Sequence, residues 1–535
     1  MANPEQNATL FEDLEGPAAA DEPKAGEGPA AAGQPQPAGV PCNLKLRSAN
    51  RDQLKMVNID VEQLIPPQHK ARAIWYLTGK MDLSAFFQGL SSVSGGRGRR
   101  PWDPRLLVSV WLYALSEGIT SSREIERLME WEPGLMWLGA TERVNHTSLN
   151  DFRKNKREAL DEVFTQLLVM LEGEGLVDLE RVMLDGTKVA AQAGRDTFRR
   201  EKTLQKRLAA AREVVQRLEK QGESETQGVR RAAQERAARE QEQRLEQALQ
   251  EMKSLQEEKK TEEEKAAVRV SLSDPEARIM KHGDGAIGPA YNVQISTDAK
   301  EKVIVGMQVN QCSADAPALA EALEGVQERM GRAPAQMVVD GGYTSKDNVI
   351  LAEERKIDLI GSPGDGEQRV ANAMKSSGIG PGFEPSAFVQ IQGTNSLQCP
   401  AGKVLAYVRQ SQKRHTRYAQ YEAQAADCAG CAMKSQCCPK REGKGRTVSV
   451  VVKEHEAVTA FRRKMEQAEA KAIYKQRGAV AEFPNAWIKD KINLWKFRLR
   501  GLAKVATEAL WACFTYNVMV WERLVWRGKI FTAAV

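Results

Sequence analysis

Histidine is scarce in this chain, with five in 535 residues, and the five form no cluster of metal ligands. His282, in MKHGDGAIG, reads as a surface-loop residue. Long apolar runs are missing too. The most apolar stretch, Val505 to Trp526, is interrupted by Glu508, Asn517, Glu522 and Arg523. It therefore reads as a buried helix, and no membrane partner is expected. The N-terminus is polar, acidic and rich in Ala, Pro and Gly, without the basic start and apolar run of an export signal. A cytoplasmic location is expected, and with it few disulfides. The cysteines number eight, five of them between Cys399 and Cys438. In such a chain they point to metal binding or free thiols. Cys42, Cys312 and Cys513 are scattered and read as ordinary residues.

What is present begins with length and charge. At 535 residues, 42% hydrophobic and 28% charged, the chain can hold two to four folding units with substantial cores. The formal charge of +6 understates its basic character. The first 40 residues carry seven acids against Lys24 alone, so the remainder bears +12. A body that basic suits a polyanion such as nucleic acid. The tail, residues 1–45, has the composition of a disordered segment.

Residues 60–175 read as helical. PRLLVSVWLYALSEGITSSREIERLME has apolar positions at helical spacing, a stop at Gly118 and a restart capped by Ser121 or Ser122. In HTSLNDFRK, Ser148 and Asp151 have the spacing of a capping box. Short helices joined by such turns, preceded by the basic GGRGRRPWDP, fit either a helix-turn-helix DNA reader or a plain helical bundle.

The character then changes to short β-rich runs bounded by Gly, Asp and Asn: 182–191, 290–297, 302–310 and 335–342. With the helical ALAEALEGVQERMG before the last of them, the order predicts a mixed α/β sheet with a helical crossover. A charged insert, 198–268, interrupts it. Leu204, Leu208, Ala211, Val215 and Leu218 step by helical spacing, Gly222 and Gly228 break the pattern, and Leu245, Leu249, Met252 and Leu255 resume it. That predicts a helical hairpin closing as an antiparallel coiled coil, either an arm for self-association or a solvated spur.

Two strands end in acidic turns, Asp185 in MLDGTK and Asp340 in VVDGGY. Singly, an Asp there usually starts a turn. Joined by a late Glu, two such Asp can hold two divalent ions about 4 Å apart for phosphodiester cleavage. The late Glu lies in YKQRGAVAEFPNAWIK, where Glu482 sits isolated among cations. Pro484, tolerated only in a first helical turn, places Glu482 at the N-terminal end of its helix or beside a kink.

MLDGTK, VVDGGYTS and the Tyr474, Arg477, Glu482, Lys489 series resemble the DDE transposases of bacterial insertion sequences, in the branch marked by a Tyr-Arg-Glu-Lys signature. The resemblance extends over RPWDPRLLVSVWLYAL, SLNDFRK, SDPEARIMKHGDG, AYNVQ and WKFRLRGLAKV, most of residues 70–525. It implies a ribonuclease H-like catalytic domain over 176–535, following a helical DNA-binding domain over 60–175. It also implies that Asp185, Asp340 and Glu482 bind Mg²⁺ or Mn²⁺, and that Tyr474, Arg477 and Lys489 contact the DNA end. Double-stranded DNA, as terminal inverted repeats and target, becomes the expected partner. A homodimer or higher assembly is expected because two ends must be joined. A related metal-dependent nuclease and an inactive DNA-binding descendant remain alternatives.

Between the second Asp and the Glu, over about 365–450, lies a small Cys-rich insertion. Cys428 and Cys431 have knuckle spacing, Cys437 follows within six residues, and Cys399, beside Pro400 and Gly402, supplies a fourth thiol. These four predict a tetrahedral Zn²⁺ site, with Cys438 able to replace Cys437. Reduced structural thiols are the alternative.

Overall fold

Leu502–Trp521 form one helix buried around nearly its whole circumference, and both halves of the fold pack on it. In the computed structural model the described residues are 56, 58–88, 100–220, 228–363, 372–413 and 415–528. The acidic tail expected over 1–45, Cys42, most of GGRGRR and Gly222 lie outside them. The chain divides into Met1–Asn58 and Ile59–Val535, and the account below concerns the second unit. Among the described residues, no helix is long and apolar enough to cross a membrane.

The N-terminal part is helical as expected: α1 (Lys70–Thr78), α2 (Pro104–Ser116), α3 (Ser122–Leu128), α4 (Pro133–Leu138), α5 (His146–Asn155) and α6 (Arg157–Gly173). Asp103 caps α2 by accepting from the Arg105 N–H at 2.8 Å, with Pro104 in the first turn. Gly118, at φ +75°, turns the chain after α2, and Ser121 occupies the N-cap of α3. The capping box is corrected. Helix α5 begins at His146, Asn145 is its cap, accepting from the Ser148 N–H at 2.8 Å, and Asp151 instead pairs with Lys154. Asn competes as well as Ser for this role, so the start lies one turn earlier.

These helices share one continuous core with the C-terminal helix and the sheet. Trp111 packs against Trp511, and Phe164 meets Phe514 edge to face. The buried Arg153 and Glu508 face each other at 3.9 Å, and Glu508 also accepts the Arg498 and Leu499 N–H groups.

All four predicted β-runs are strands. Strand β1 (Arg181–Ala190) leads to an inserted arm made of β2 (Phe198–Arg199), α7 (Glu201–Lys220), α8 (Gly228–Glu257), α9 (Glu262–Ala267) and β3 (Val270–Ser271). The sheet resumes with β4 (Arg278–Lys281), β5 (Ile287–Asp298) and β6 (Ile304–Asn310). Helix α10 (Ala318–Met330) crosses to β7 (Gln336–Val339), and α11 (Lys346–Glu354) to β8 (Asp358–Gly361). The path is β4-β5-β1-β7-β8, with β6 also on β5. Strand β5 is antiparallel to β1, β4 and β6, whereas β7 and β8 run parallel to β1. From Pro289 to Asp298 β5 is buried on both faces, with Tyr291, Val293 and Ile295 in the apolar core and Asn292, Gln294 and Ser296 as buried polar residues alternating with them.

Both inserts have cores of their own. In the arm, Leu204, Leu208 and Ala211 of α7 pack on Leu245, Ala248 and Met252 of α8. Pairs of Arg212 with Glu242 and Glu246, and of Arg239 with Glu219, fix the two helices antiparallel. The Cys-rich insertion contains a sheet that the sequence reading missed: β9 (Val389–Gln390), β10 (Ser396–Gln398), β11 (Val404–Lys413), β12 (Thr416–Ala423) and β13 (Thr447–Glu454), all antiparallel in the order β13-β12-β11-β10-β9.

The Arg153–Glu508 pair joins the N-terminal helices to the C-terminal one, and removing one partner strands the other in the core. Arg153→Met is expected to lower stability by about 3 kcal/mol at neutral pH, read as a shift in urea midpoint. Burial raises the Glu508 carboxyl above its usual range, against the lowering effect of Arg153. A carboxyl raised in the folded state favours folding when protonated and loses that contribution as pH rises. The deficit of Arg153→Met is therefore expected to shrink as pH falls and Glu508 takes up a proton.

Candidate active site

Leu184 of β1 stands opposite Val339 of β7 in the parallel register, so the next residues, Asp185 and Asp340, stand at the same level. The strand end expected at Asp185 is corrected: β1 runs on to Ala190 because β5 continues to pair with it, Asp185 opposite Ile295, and only Asp340 follows the end of its strand. Adjacent strands lie about 4.8 Å apart, and residues in register share a face. Two acids separated widely in sequence are thereby set side by side. Asp340 then starts its turn: its Oδ1 accepts the Gly342 N–H at 2.6 Å.

Glu482 arrives from the C-terminal side at the end of a π-helical turn, Gly478–Glu482, which runs into the helix Phe483–Lys491 with Pro484 in its first turn. The kink anticipated from Pro484 is thus a widened turn followed by a helix start, and such π-turns recur at functional sites. Arg477 ties the group together: Nη1 donates to Asp185 Oδ1 at 3.2 Å and Nη2 to Glu482 Oε1 at 3.4 Å. The guanidinium of Arg477 and the carboxylate of Asp185 are each only 17% exposed, whereas Glu482 is 61% exposed.

Burial pushes the Asp185 carboxyl above the usual carboxylate range; Arg477 and an Asn485 hydrogen bond oppose this, and the negative Asp340 and Glu482 add to it. Lys489 is half-buried, its ammonium 5.5 Å from the Trp495 ring centre. Burial lowers its pKa, while Asp185 and Asp284 counteract the shift. Tyr474 packs half-buried on the main core. Arg477 therefore lies among the carboxylates, Lys489 within their field, and Tyr474 at the edge of the core.

Several site residues escaped the sequence reading. Asn485 donates to Asp185 Oδ2 at 2.9 Å, and its signal was its place three residues after Glu482, on the same helical face. Asp315 gathers Lys188, Asn292 and Gln294 on one carboxylate oxygen at 2.8, 2.9 and 3.0 Å. The fully buried Tyr343 donates to Gln294. This polar layer lies directly against Gly186, where a Cβ would come within 2.5 Å of Gln294 and 2.9 Å of Asp315. The glycine after Asp185 lets β1 lie close to the layer that holds the Asp340 turn.

In the second insert, Cys399, Cys428, Cys431, Cys437 and Cys438 line one small cavity of about 20 Å³. The Lys403 and Arg446 N–H groups donate to the sulfurs of Cys399 and Cys428 at 3.3 and 3.4 Å. Burial chiefly, with the neighbouring thiols adding, pushes the Cys437 thiol up to about 11. Among the described residues, no group of three or more His, Cys, Asp or Glu is arranged to hold a metal ion. At the carboxylates, Arg477 engages two of the three acids and the Asp340 turn engages the third.

Residues 398–521 match the family described as the transposase DDE domain, and residues 59–155 match a transposase domain (DUF772). The first match takes in Glu482 and the cysteines of the second insert, the second most of the N-terminal helices. No curated protein matches the chain. Among solved structures, a piggyBac transposase synaptic complex with hairpin DNA aligns over 86% of this chain and 76% of its own, at 8% identity and a TM-score of 0.32. So loose an alignment does not define a common fold. The two domain matches, lying on either side of the sheet that carries Asp185 and Asp340, support a DDE-type transposase.

Proposed function

We propose that the chain is the transposase of a bacterial insertion sequence, in the Tyr-Arg-Glu-Lys branch, with a ribonuclease H-like core. It would bind transposon ends, hydrolyse a phosphodiester there, and direct the freed 3′ hydroxyl onto target DNA. The observation that carries this reading is the in-register placement of Asp185 and Asp340 on parallel strands, with Glu482 linked to Asp185 through Arg477. The strand order supports the fold: an antiparallel trio, then two parallel strands reached through helices on the far side of β1.

The three carboxylates fit divalent ions in donor chemistry, since hard oxygen ligands suit Mg²⁺ or Mn²⁺. Bound there, such ions would polarise the phosphate and activate water. The chain's own residues do the rest. Asn485 fixes one oxygen of Asp185, and the polar layer under Gly186 fixes the Asp340 turn. Arg477 offsets the charge of Asp185 and Glu482, holding together acids that would otherwise repel. The same guanidinium would grip a phosphate of the DNA end bidentately. Lys489, half-buried beside Asp185, adds a point charge for the DNA path. A dimer or higher assembly would hold two ends together.

Zinc in the second insert is supported by five thiols around one cavity and by the N–H···S bonds that stabilise thiolate ligands. Four thiolates drawn from these five would suit structural Zn²⁺ in donor chemistry, once brought to tetrahedral geometry.

Asp185→Asn, Asp340→Asn and Glu482→Gln are each expected to cut Mg²⁺-dependent cleavage of a terminal-repeat duplex by about a thousandfold or more. Binding of the same duplex in chelator should persist. Normal cleavage by any one would remove that residue from the site. Arg477→Ala should flatten the log–log salt dependence of duplex binding by about one unit, as one lost phosphate contact does. An unchanged slope would leave Arg477 a purely internal counter-ion. Metal analysis of protein purified without chelator should find about one Zn²⁺ per chain, lost in Cys428→Ser; a metal-free wild type would leave structural thiols as the reading.

A further inference from the structure

Where the arm joins the sheet, a cavity of about 540 Å³ opens between β2, α7, α8 and the segment after β3. Its lining carries three arginines, Arg199, Arg207 and Arg244, and a single acid, Asp196. Farther out, the arm neutralises its arginines: Arg212, Arg231 and Arg239 are all paired with glutamates of the same hairpin. At the root it does not. Arg207 and Arg244 make no hydrogen bond or ion pair with the described residues, and Arg199 donates only to the backbone carbonyls of Asp196 and Phe198. Arg207 is exposed and Arg244 half-buried.

Three guanidinium groups around one cavity repel one another, and hairpin glutamates at these positions would relieve that repulsion as they do nearby. A polyanion relieves it equally. Ser273 and Gln241, which also line the cavity, are neutral residues of the kind that contact phosphates. We propose that this cavity binds the sugar–phosphate backbone of duplex DNA, so that the arm's root is a DNA clamp. The inference rests on the transposase reading, to which it adds a second contact region.

Chain geometry puts the clamp within reach of one duplex. Thr197 follows Asp185 by twelve residues, a separation of at most about 40 Å for extended chain. One turn of duplex spans about 34 Å. The arm root therefore lies at most little more than one duplex turn from Asp185. Guanidinium contacts there would be sequence-independent, since they meet phosphates and no base edges.

The test uses the full chain and a labelled random-sequence duplex in chelator, titrated with salt. Wild type should show a steep log–log dependence, and Arg207→Ala with Arg244→Ala should flatten it by about two units, near 0.9 per lost contact. The paired lysine variant, Arg207→Lys with Arg244→Lys, should restore most of the slope because the charge remains. Arg212→Ala, already engaged with Glu242 and Glu246, serves as control and should change little. Both double variants alter side chains without partners, so folding is checked simply by an unchanged urea midpoint. Wild-type affinity and slope in the alanine pair would overturn the clamp while leaving the transposase reading intact. Absence of salt-dependent duplex binding by wild type would overturn both.

Discussion

The parallel register of β1 on β7 is the constraint from which the site follows. A shift of one residue would send Asp340 to the opposite face from Asp185. The register is held from two sides. Below, Met183 and Leu184 meet Val338 and Val339 in the buried sheet. Above, Tyr343 reaches back to Gln294 of β5, and Asp315 collects β1 and β5 through Lys188, Asn292 and Gln294. A slip would cost the apolar packing and the polar layer together. Apart from Asn292 Oδ1, which has no partner among the described residues, the network is satisfied, and it favours one arrangement because each broken bond leaves another buried group unsatisfied.

Around that fixed pair the acids are costly to keep. Asp185 is buried, beside two other acids, and is held by Arg477 and Asn485. The main core supports this cost from a distance: the C-terminal helix and the N-terminal helices pack as one body with the sheet. The helices of residues 60–175 therefore share one hydrophobic core with the sheet that carries Asp185 and Asp340.

The strands and the crossover helix were legible because each is a short apolar run or an amphipathic period with clear boundaries, as in VMLDGTKVAA and ALAEALEGVQERMG. The hairpin arm was legible because Leu204, Leu208 and Ala211 recur at helical spacing, and its antiparallel closure follows from the break near Gly222 and Gly228. The sheet in the second insert was not. Strand β11 exposes nearly every residue except Leu405, so it carries no alternation to read. Asp315 was invisible for another reason. It acts through partners from distant segments, and a single Asp in a loop has no local signature, whereas Asn485 had one only in its spacing from Glu482. The relation of Arg477 to Asp185 was likewise tertiary: sequence marks it as a cation near a carboxylate, while the fold decides that it faces inward.

The π-turn at Gly478–Glu482 sets the angular phase of everything after it. Arg477 and Glu482 are five residues apart, a spacing that on a regular α-helix turns the two side chains about 140° apart, whereas here both meet over Asp185. One extra residue in the turn brings them together and carries Asn485 to the same carboxylate. A variant lacking one residue between Arg477 and Glu482 would close the wide turn to an ordinary α-turn and set the two side chains four residues apart, about 40° from each other on one helical face. The wide turn thus does with five residues what an α-turn does with four, and the extra residue is taken up without parting the guanidinium from the carboxylate.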